Sequence, residues 1–169
     1  MTNTSLKRAN TEESFTELLK KYRLKATPQR LAVHRAMISL GHASADQVSE
    51  WISANGGAHV TVASVYNILT QLTLLGIYCH RLSANNKMFF DLNTFNHIHL
   101  YDCVNHEYKD VLDEDLLSLV EAKLLKSSRY RGYKLDRVDI QIICHPSTKR
   151  NNTKTVSYTH LTLPTICSV

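Results

Sequence analysis

Two histidines one residue apart, His97 and His99, sit in the alternating run Phe95-Asn96-His97-Ile98-His99-Leu100-Tyr101-Asp102. In a β-strand, side chains two apart share a face. The run therefore predicts both imidazoles on one face, with Ile98 and Leu100 on the other. Paired imidazoles form half of a site for a borderline divalent metal such as Fe, Zn, Mn or Ni. Asp91, six residues before His97, and Asp110, eleven after His99, offer carboxylate oxygens nearby in sequence. The same pattern also describes two surface histidines on one strand face, which is a common arrangement. This stretch alone leaves both readings open.

The surrounding chain decides what such a site could serve. It has 169 residues, 43% hydrophobic, with only 5 glycines and 3 prolines, a composition that can bury a core in one domain or two small ones. No apolar run is long enough to span a bilayer. The polar start Met1-Thr2-Asn3-Thr4-Ser5-Leu6-Lys7-Arg8 does not read as a signal peptide, so a cytoplasmic location is expected. The net charge of +5 favours a polyanionic partner. Cys79, Cys103, Cys144 and Cys167 contain no Cys-x-x-Cys pair, so no zinc knuckle is signalled. Free thiols serving as small buried hydrophobes are expected.

The first half reads as helices closed by a hairpin. Residues 11–22 repeat apolar side chains at helical spacing behind Thr11 as N-cap. Thr27 before Pro28 opens a second helix that Gly41 ends. A third starts at Ser44 and stops at Asn55-Gly56-Gly57. A fourth runs from Thr61 to about Leu75, with Val65, Ile68, Leu69, Leu72 and Leu75 as its apolar stripe. Its other face carries Ser64, Tyr66, Asn67, Thr70 and Gln71, and residues 61–75 contain no acid. Such groups can bond phosphates and base edges in a DNA groove. They would equally suit a neutral polar face on a packed helix. Strands over 77–82 and 87–92 flank a turn at Ala84-Asn85-Asn86, with Arg81 and Lys87 expected to put charge on this wing. The pattern predicts a winged helix-turn-helix over residues 1–92 and a connector over 93–95.

The second half changes character. Short strands are expected over 98–103 and 107–112, then a helix capped by Asp113-Glu114-Asp115, then an alternating strand over 135–142. Residues 96–150 thus form a small α+β unit, and the fold class is α+β throughout. The exposed edge of the last strand suits pairing with a second copy of the chain. Residues 151–169 form a tail. From about Val156 it reads as translated adaptor or vector sequence, so His160 and Cys167 are not ligand candidates.

A winged helix followed by an His-x-His-bearing α+β unit resembles the ferric uptake regulator (Fur) family of metal-dependent repressors. The resemblance covers roughly residues 18–144. It rests on Thr27-Pro28-Gln29-Arg30, His42-x-Ser44-Ala45-Asp46, Val62-Ala63-Ser64-Val65-Tyr66-Asn67, Gly76-Ile77, Phe90-Asp91, His97-x-His99 and Asp110. It implies a regulatory metal site of His42, Asp91, His97, His99 and Asp110, with ligands on both sides of the connector. It further implies a homodimer on double-stranded operator DNA, with Arg30, Ser64, Tyr66 and Asn67 at the DNA face. Fe(II) or Mn(II) is the expected metal, with Zn possible in vitro. Aspartate at both 91 and 110 resembles the peroxide-sensing PerR branch, whereas iron-sensing members tend to carry glutamate. That branch implies Fe(II)-catalysed oxidation of a ligand histidine by peroxide, at His42 or His97.

The chain also departs from the family pattern. Asp102 and Asn105 stand where the first Cys-x-x-Cys pair of a structural zinc would be, with Cys103 out of register; Cys144 and Ser147 stand for the second. No structural zinc is expected. Asn96 and Ile98 replace ligands of a secondary site, and His34, His59, His80, His106 and His145 are read as packed or exposed rather than ligating. The expected function is a metal-dependent DNA-binding repressor responding to peroxide. An iron-responsive repressor of uptake genes is the alternative within the class. A mononuclear non-haem iron enzyme is the alternative outside it, though five protein ligands leave little room for substrate.

Overall fold

A computed structural model describes residues 11–55, 59–135 and 137–146. The tail lies outside the described residues, as does Ser147. Four helices come first: α1 (Glu12–Lys21), α2 (Pro28–Leu40), α3 (Ala45–Ala54) and α4 (Val62–Leu74), with a two-residue strand β1 (His42–Ala43) between α2 and α3. Each begins with a hydroxyl side chain that accepts from a backbone N–H three residues on. Thr11, Thr27, Ser44 and Thr61 accept from the backbone N–H of Ser14, Arg30, Gln47 and Ser64. These contacts satisfy amides that no helical carbonyl can reach.

The hairpin strands β2 (Cys79–Leu82) and β3 (Met88–Asp91) pair antiparallel, and β1 adds to the free side of β3, giving the order β1-β3-β2. This is the winged helix expected from the chain. Its core joins Phe15, Leu19, Val33, Met37, Val48, Ile52, Val65, Leu69, Leu72, Tyr78 and Phe90. β3 has two buried faces. Phe90 packs into that helical core, while Phe89 joins Tyr101 and Tyr108 in a second, aromatic cluster.

The second sheet has the order β5-β4-β6, built from β4 (Ile98–Asp102), β5 (Glu107–Val111) and β6 (Ile140–Cys144), with helix α5 (Glu114–Lys126) between β5 and β6. Asp113 caps α5 by accepting from the Leu116 N–H. β6 is shorter and later than the expected 135–142. It pairs parallel to β4, Ile98 opposite Ile140 through Asp102 opposite Cys144. The alternation of 135–142 does not extend the strand because its partner β4 begins only at Ile98, opposite Ile140; Asp139, just before β6, lies 2.8 Å from Arg81. β6 forms one edge of its sheet and leaves Ile142 and Ile143 exposed.

Of the expected wing charges, Lys87 is exposed and Arg81 is not. Arg81 is buried and faces the second sheet, beside its cross-strand partner Phe89. Lys87 is paired with Asp46 at 2.9 Å. A lone arginine in a short hairpin reads as solvated until a second sheet covers that face.

Candidate metal centre

Local geometry brings five side chains to one point. Gly41 ends α2 at φ 69°, a positive φ that favours glycine over residues with a Cβ, and turns the chain into β1. There His42 lies directly opposite Asp91 of β3. On the other sheet, His97 and His99 share a face, their ring centroids 4.1 Å apart. The β4–β5 register sets Asp110 directly opposite His99, and opposed antiparallel residues hold their side chains side by side. The sequence could show the His-x-His spacing. It could not show the two-residue β1 or these two registers.

Asp91 is the hub. Its Oδ2 lies 3.4 Å from His42 Nε2, 3.3 Å from His97 Nε2 and 3.2 Å from His99 Nε2. Asp110 Oδ1 lies 3.0 Å from His42 Nε2, 3.1 Å from His97 Nε2 and 3.8 Å from His99 Nε2. Ligand atoms of His42, His97, His99 and Asp110 all fall within 4.8 Å of one another, and Asp91 is within reach of the same three nitrogens. His42, Asp91, His97 and His99 are almost wholly covered, while Asp110 keeps partial access to solvent.

Two features fit a cation. Although carboxylate oxygens lie close by, the buried Nε2 atoms of His42 and His97 make no hydrogen bond of acceptable angle. The donor set of three imidazoles and two carboxylates suits Fe(II), Mn(II) or Zn(II). His97 Nδ1 lies 2.7 Å from the Phe95 carbonyl oxygen, so it donates there and Nε2 faces inward. Such an outer hydrogen bond is usual for a ligating histidine.

The electrostatics agree. Burial lowers the His42 and His97 pKa values, but the carboxylates of Asp110 and Asp91 outweigh it and raise them to about 9 and about 10. Burial likewise raises both aspartates, and the imidazoles beside them hold each carboxylate well below its usual range. His99 moves the other way. Burial lowers it, the Asp91 carboxylate only partly offsets this, and Arg81 lowers it further.

The expected DNA-facing residues are placed as follows. Tyr66 and Asn67 project from α4 and are exposed, Tyr66 standing edge-on to Phe90 at 6.0 Å. Ser64 is half-buried in the first turn, where Thr61 Oγ1 donates to its hydroxyl. Arg30 is engaged within the fold. Its guanidinium donates to the Lys25 carbonyl at 2.7 Å and to Gln71 Oε1 at 2.9 Å, bracing α2 against α4.

Several residues set aside as ligands have other partners. His34 is buried, stacked on Phe15 at 3.9 Å and bonded to the Tyr78 hydroxyl at 2.7 Å. His106 Nδ1 lies 2.9 Å from the Tyr101 hydroxyl. Asp102 closes the β4–β5 turn by accepting from the backbone N–H of Val104 and Asn105 and from the Asn105 side chain. Cys103 donates to the Cys144 carbonyl, and Cys144 to the Tyr101 carbonyl. Asn96 donates to Glu121.

The chain is similar to the peroxide-responsive repressor PerR of Staphylococcus epidermidis, with 34% identity over 90 residues, 53% of this chain and 59% of that protein. The matched part thus spans little more than half the length of that curated relative. The fold is that of the Vibrio cholerae ferric uptake regulator, with TM-score 0.66 and 22% identity over 78% of this chain and 98% of that one. The Pseudomonas aeruginosa ferric uptake regulator, solved with manganese, gives TM-score 0.60 and 22% identity over 79% and 98%. The model of the ferric uptake regulator family matches residues 21–143. This chain belongs to the ferric uptake regulator family.

Proposed function

We propose that this chain is a metal-dependent transcriptional repressor that binds operator DNA as a homodimer. Its regulatory site is His42, Asp91, His97, His99 and Asp110. The observation that carries this reading is the origin of the five groups. His42 and Asp91 come from the winged-helix sheet, His99 and Asp110 from the second sheet, and His97 from the residue just before β4. A cation held by both sheets selects the one relative orientation in which all five groups meet. In a dimer, that orientation sets the spacing of the two α4 helices against successive major grooves. Tyr66 and Asn67 supply the exposed face that would read bases, with Ser64 beside them. The free edge of β6, with Ile142 and Ile143, and the exposed Leu116 and Leu119 of α5 are the surfaces that a second copy would cover. Membership of a family of transcription regulators sets the iron-enzyme alternative aside. Among the described residues, no helix is long and apolar enough to cross a membrane; a cytoplasmic location goes with the repressor reading.

The stimulus we assign is peroxide. Support comes from aspartate at both 91 and 110 and from the PerR relative at 34% identity. Bound Fe(II) would supply the electrons that turn H₂O₂ into an oxidant beside the ligand imidazoles. Both His42 and His97 present Nε2 directly to the site and are the rings at risk. Mn(II) would hold the same groups without that chemistry. The test loads the protein with Fe(II) or Mn(II), titrates operator DNA before and after brief H₂O₂, and weighs the peptides bearing His42 and His97. Loss of DNA by the Fe(II) form alone, with one peptide gaining an oxygen, is the expected result. Retained DNA with no oxygen gained would return the iron-responsive reading.

A further inference from the structure

Arg81 makes contacts that the five-ligand site does not require. It is buried on β2, and its Nη1 lies 2.6 Å from His99 Nδ1 and 2.8 Å from Asp139 Oδ1. Its Nη2 lies 3.8 Å from Asp91 Oδ2, the oxygen that faces all three imidazoles. A guanidinium only donates, and it keeps its charge at any ordinary pH. Nδ1 of His99 must therefore be the acceptor, which places the proton of a neutral ring on Nε2. That nitrogen then donates to Asp91 Oδ2 at 3.2 Å and has no lone pair for a metal. His97 has the opposite arrangement, with Nδ1 donating to a carbonyl and Nε2 free to ligate.

Asp139 supplies the way out. Its Oδ1 is 3.8 Å from His99 Nδ1, already on the correct side of the ring, and the side chain is 41% exposed. With Arg81 displaced, Asp139 would accept Nδ1–H and turn Nε2 into a ligand, the carboxylate–histidine–metal arrangement common in such sites.

Resting on the metal-site reading, we propose that Arg81 is a positioning residue that sets metal affinity: it holds His99 in the Nε2–H tautomer and competes with the metal for His99 and Asp91, while Asp139 takes over Nδ1 when the metal binds. Arg81 belongs to the wing sheet, whereas His99 belongs to the second and Asp139 directly precedes its strand β6. The competition thus links recruitment of the fifth ligand to the contact between the two sheets.

The test compares wild type, Arg81→Met and Asp139→Asn. The His99 tautomer is read by ¹⁵N NMR of labelled histidine in chelator, and Mn(II) affinity by competition with a metal indicator. Folding is checked by thermal unfolding. The proposal expects the Nε2–H tautomer in wild type and Nδ1–H in Arg81→Met, with Mn(II) bound about tenfold more tightly by that variant. Asp139→Asn leaves only a neutral amide oxygen, a weaker acceptor for Nδ1–H than the carboxylate, so it should bind Mn(II) about tenfold more weakly. Asp139→Asn also carries the test if Arg81→Met does not fold, because its side chain is partly exposed. An Nδ1–H tautomer in wild type overturns the proposal. So does unchanged or weaker Mn(II) binding by a folded Arg81→Met, or unchanged binding by Asp139→Asn. Absence of Mn(II) binding in wild type and variants alike overturns the metal-site reading instead, and the Arg81 proposal falls with it.

Discussion

Proton competition at the five-residue centre has a magnitude that the structure sets. Metal ligation needs neutral imidazoles. With pKa values of about 9 and 10, His42 and His97 are both protonated at neutral pH in the metal-free protein. His99, pushed below its ordinary value, carries no extra proton. Displacing the two protons at pH 7 costs about 7 kcal/mol, at 1.36 kcal/mol per pH unit. Mn(II) affinity should therefore rise about 100-fold per pH unit between pH 7 and 8, with release of about two protons per ion. The stability of the metal-free protein runs the other way. Both pKa values are raised on folding, so the ion pairs contribute fully below the unfolded value of about 6.5 and are lost as pH rises through about 9 and 10. The assay is isothermal titration with Mn(II) in buffers of different ionisation enthalpy across pH 6.5–8. A flat affinity profile with no proton release would refute the reasoning, because it would mean that the imidazoles do not meet the carboxylates in solution.

Other perturbations test the parts that position the site. His34 is buried and neutral, held by burial at a pKa of about 4. It should cost the fold about 3 kcal/mol as pH falls from 6.5 to 4, and denaturant melts of wild type and His34→Gln should show that loss in wild type only. Gly41→Ala adds a Cβ that meets nothing within 4 Å, so its cost of about 1–2 kcal/mol is backbone strain at φ 69° and should appear as a lower Tm. Asn67→Ala should weaken operator binding by about 1–3 kcal/mol while leaving non-specific DNA affinity and fold intact, measured by titration against operator and scrambled duplexes.

Helix starts were plain in the sequence because each rests on a local rule: a hydroxyl or carboxylate three residues before the amide it caps. The shared face of His97 and His99 was legible for a similar reason, since strand period follows from spacing alone. What spacing could not show was pairing between distant segments. β1 is too short to carry a pattern, so His42 opposite Asp91 appears only once β1 lies on β3. The late start of β6 follows from β4, which begins only at Ile98, and the inward course of Arg81 goes with a distant contact. Asp139 and Arg81 meet across 58 positions of chain, and each alone looks like a solvated surface charge. Arg30 shows the same limit of local reading: its contact with Gln71, 41 positions away, has no signal in the spacing.

The most direct measurement of the central claim is operator binding by wild type and His97→Ala across a Mn(II) titration. The account predicts that wild-type affinity for the operator climbs as the site fills, while His97→Ala binds weakly at every Mn(II) concentration although it stays folded. Tight, Mn(II)-dependent operator binding by His97→Ala would contradict it.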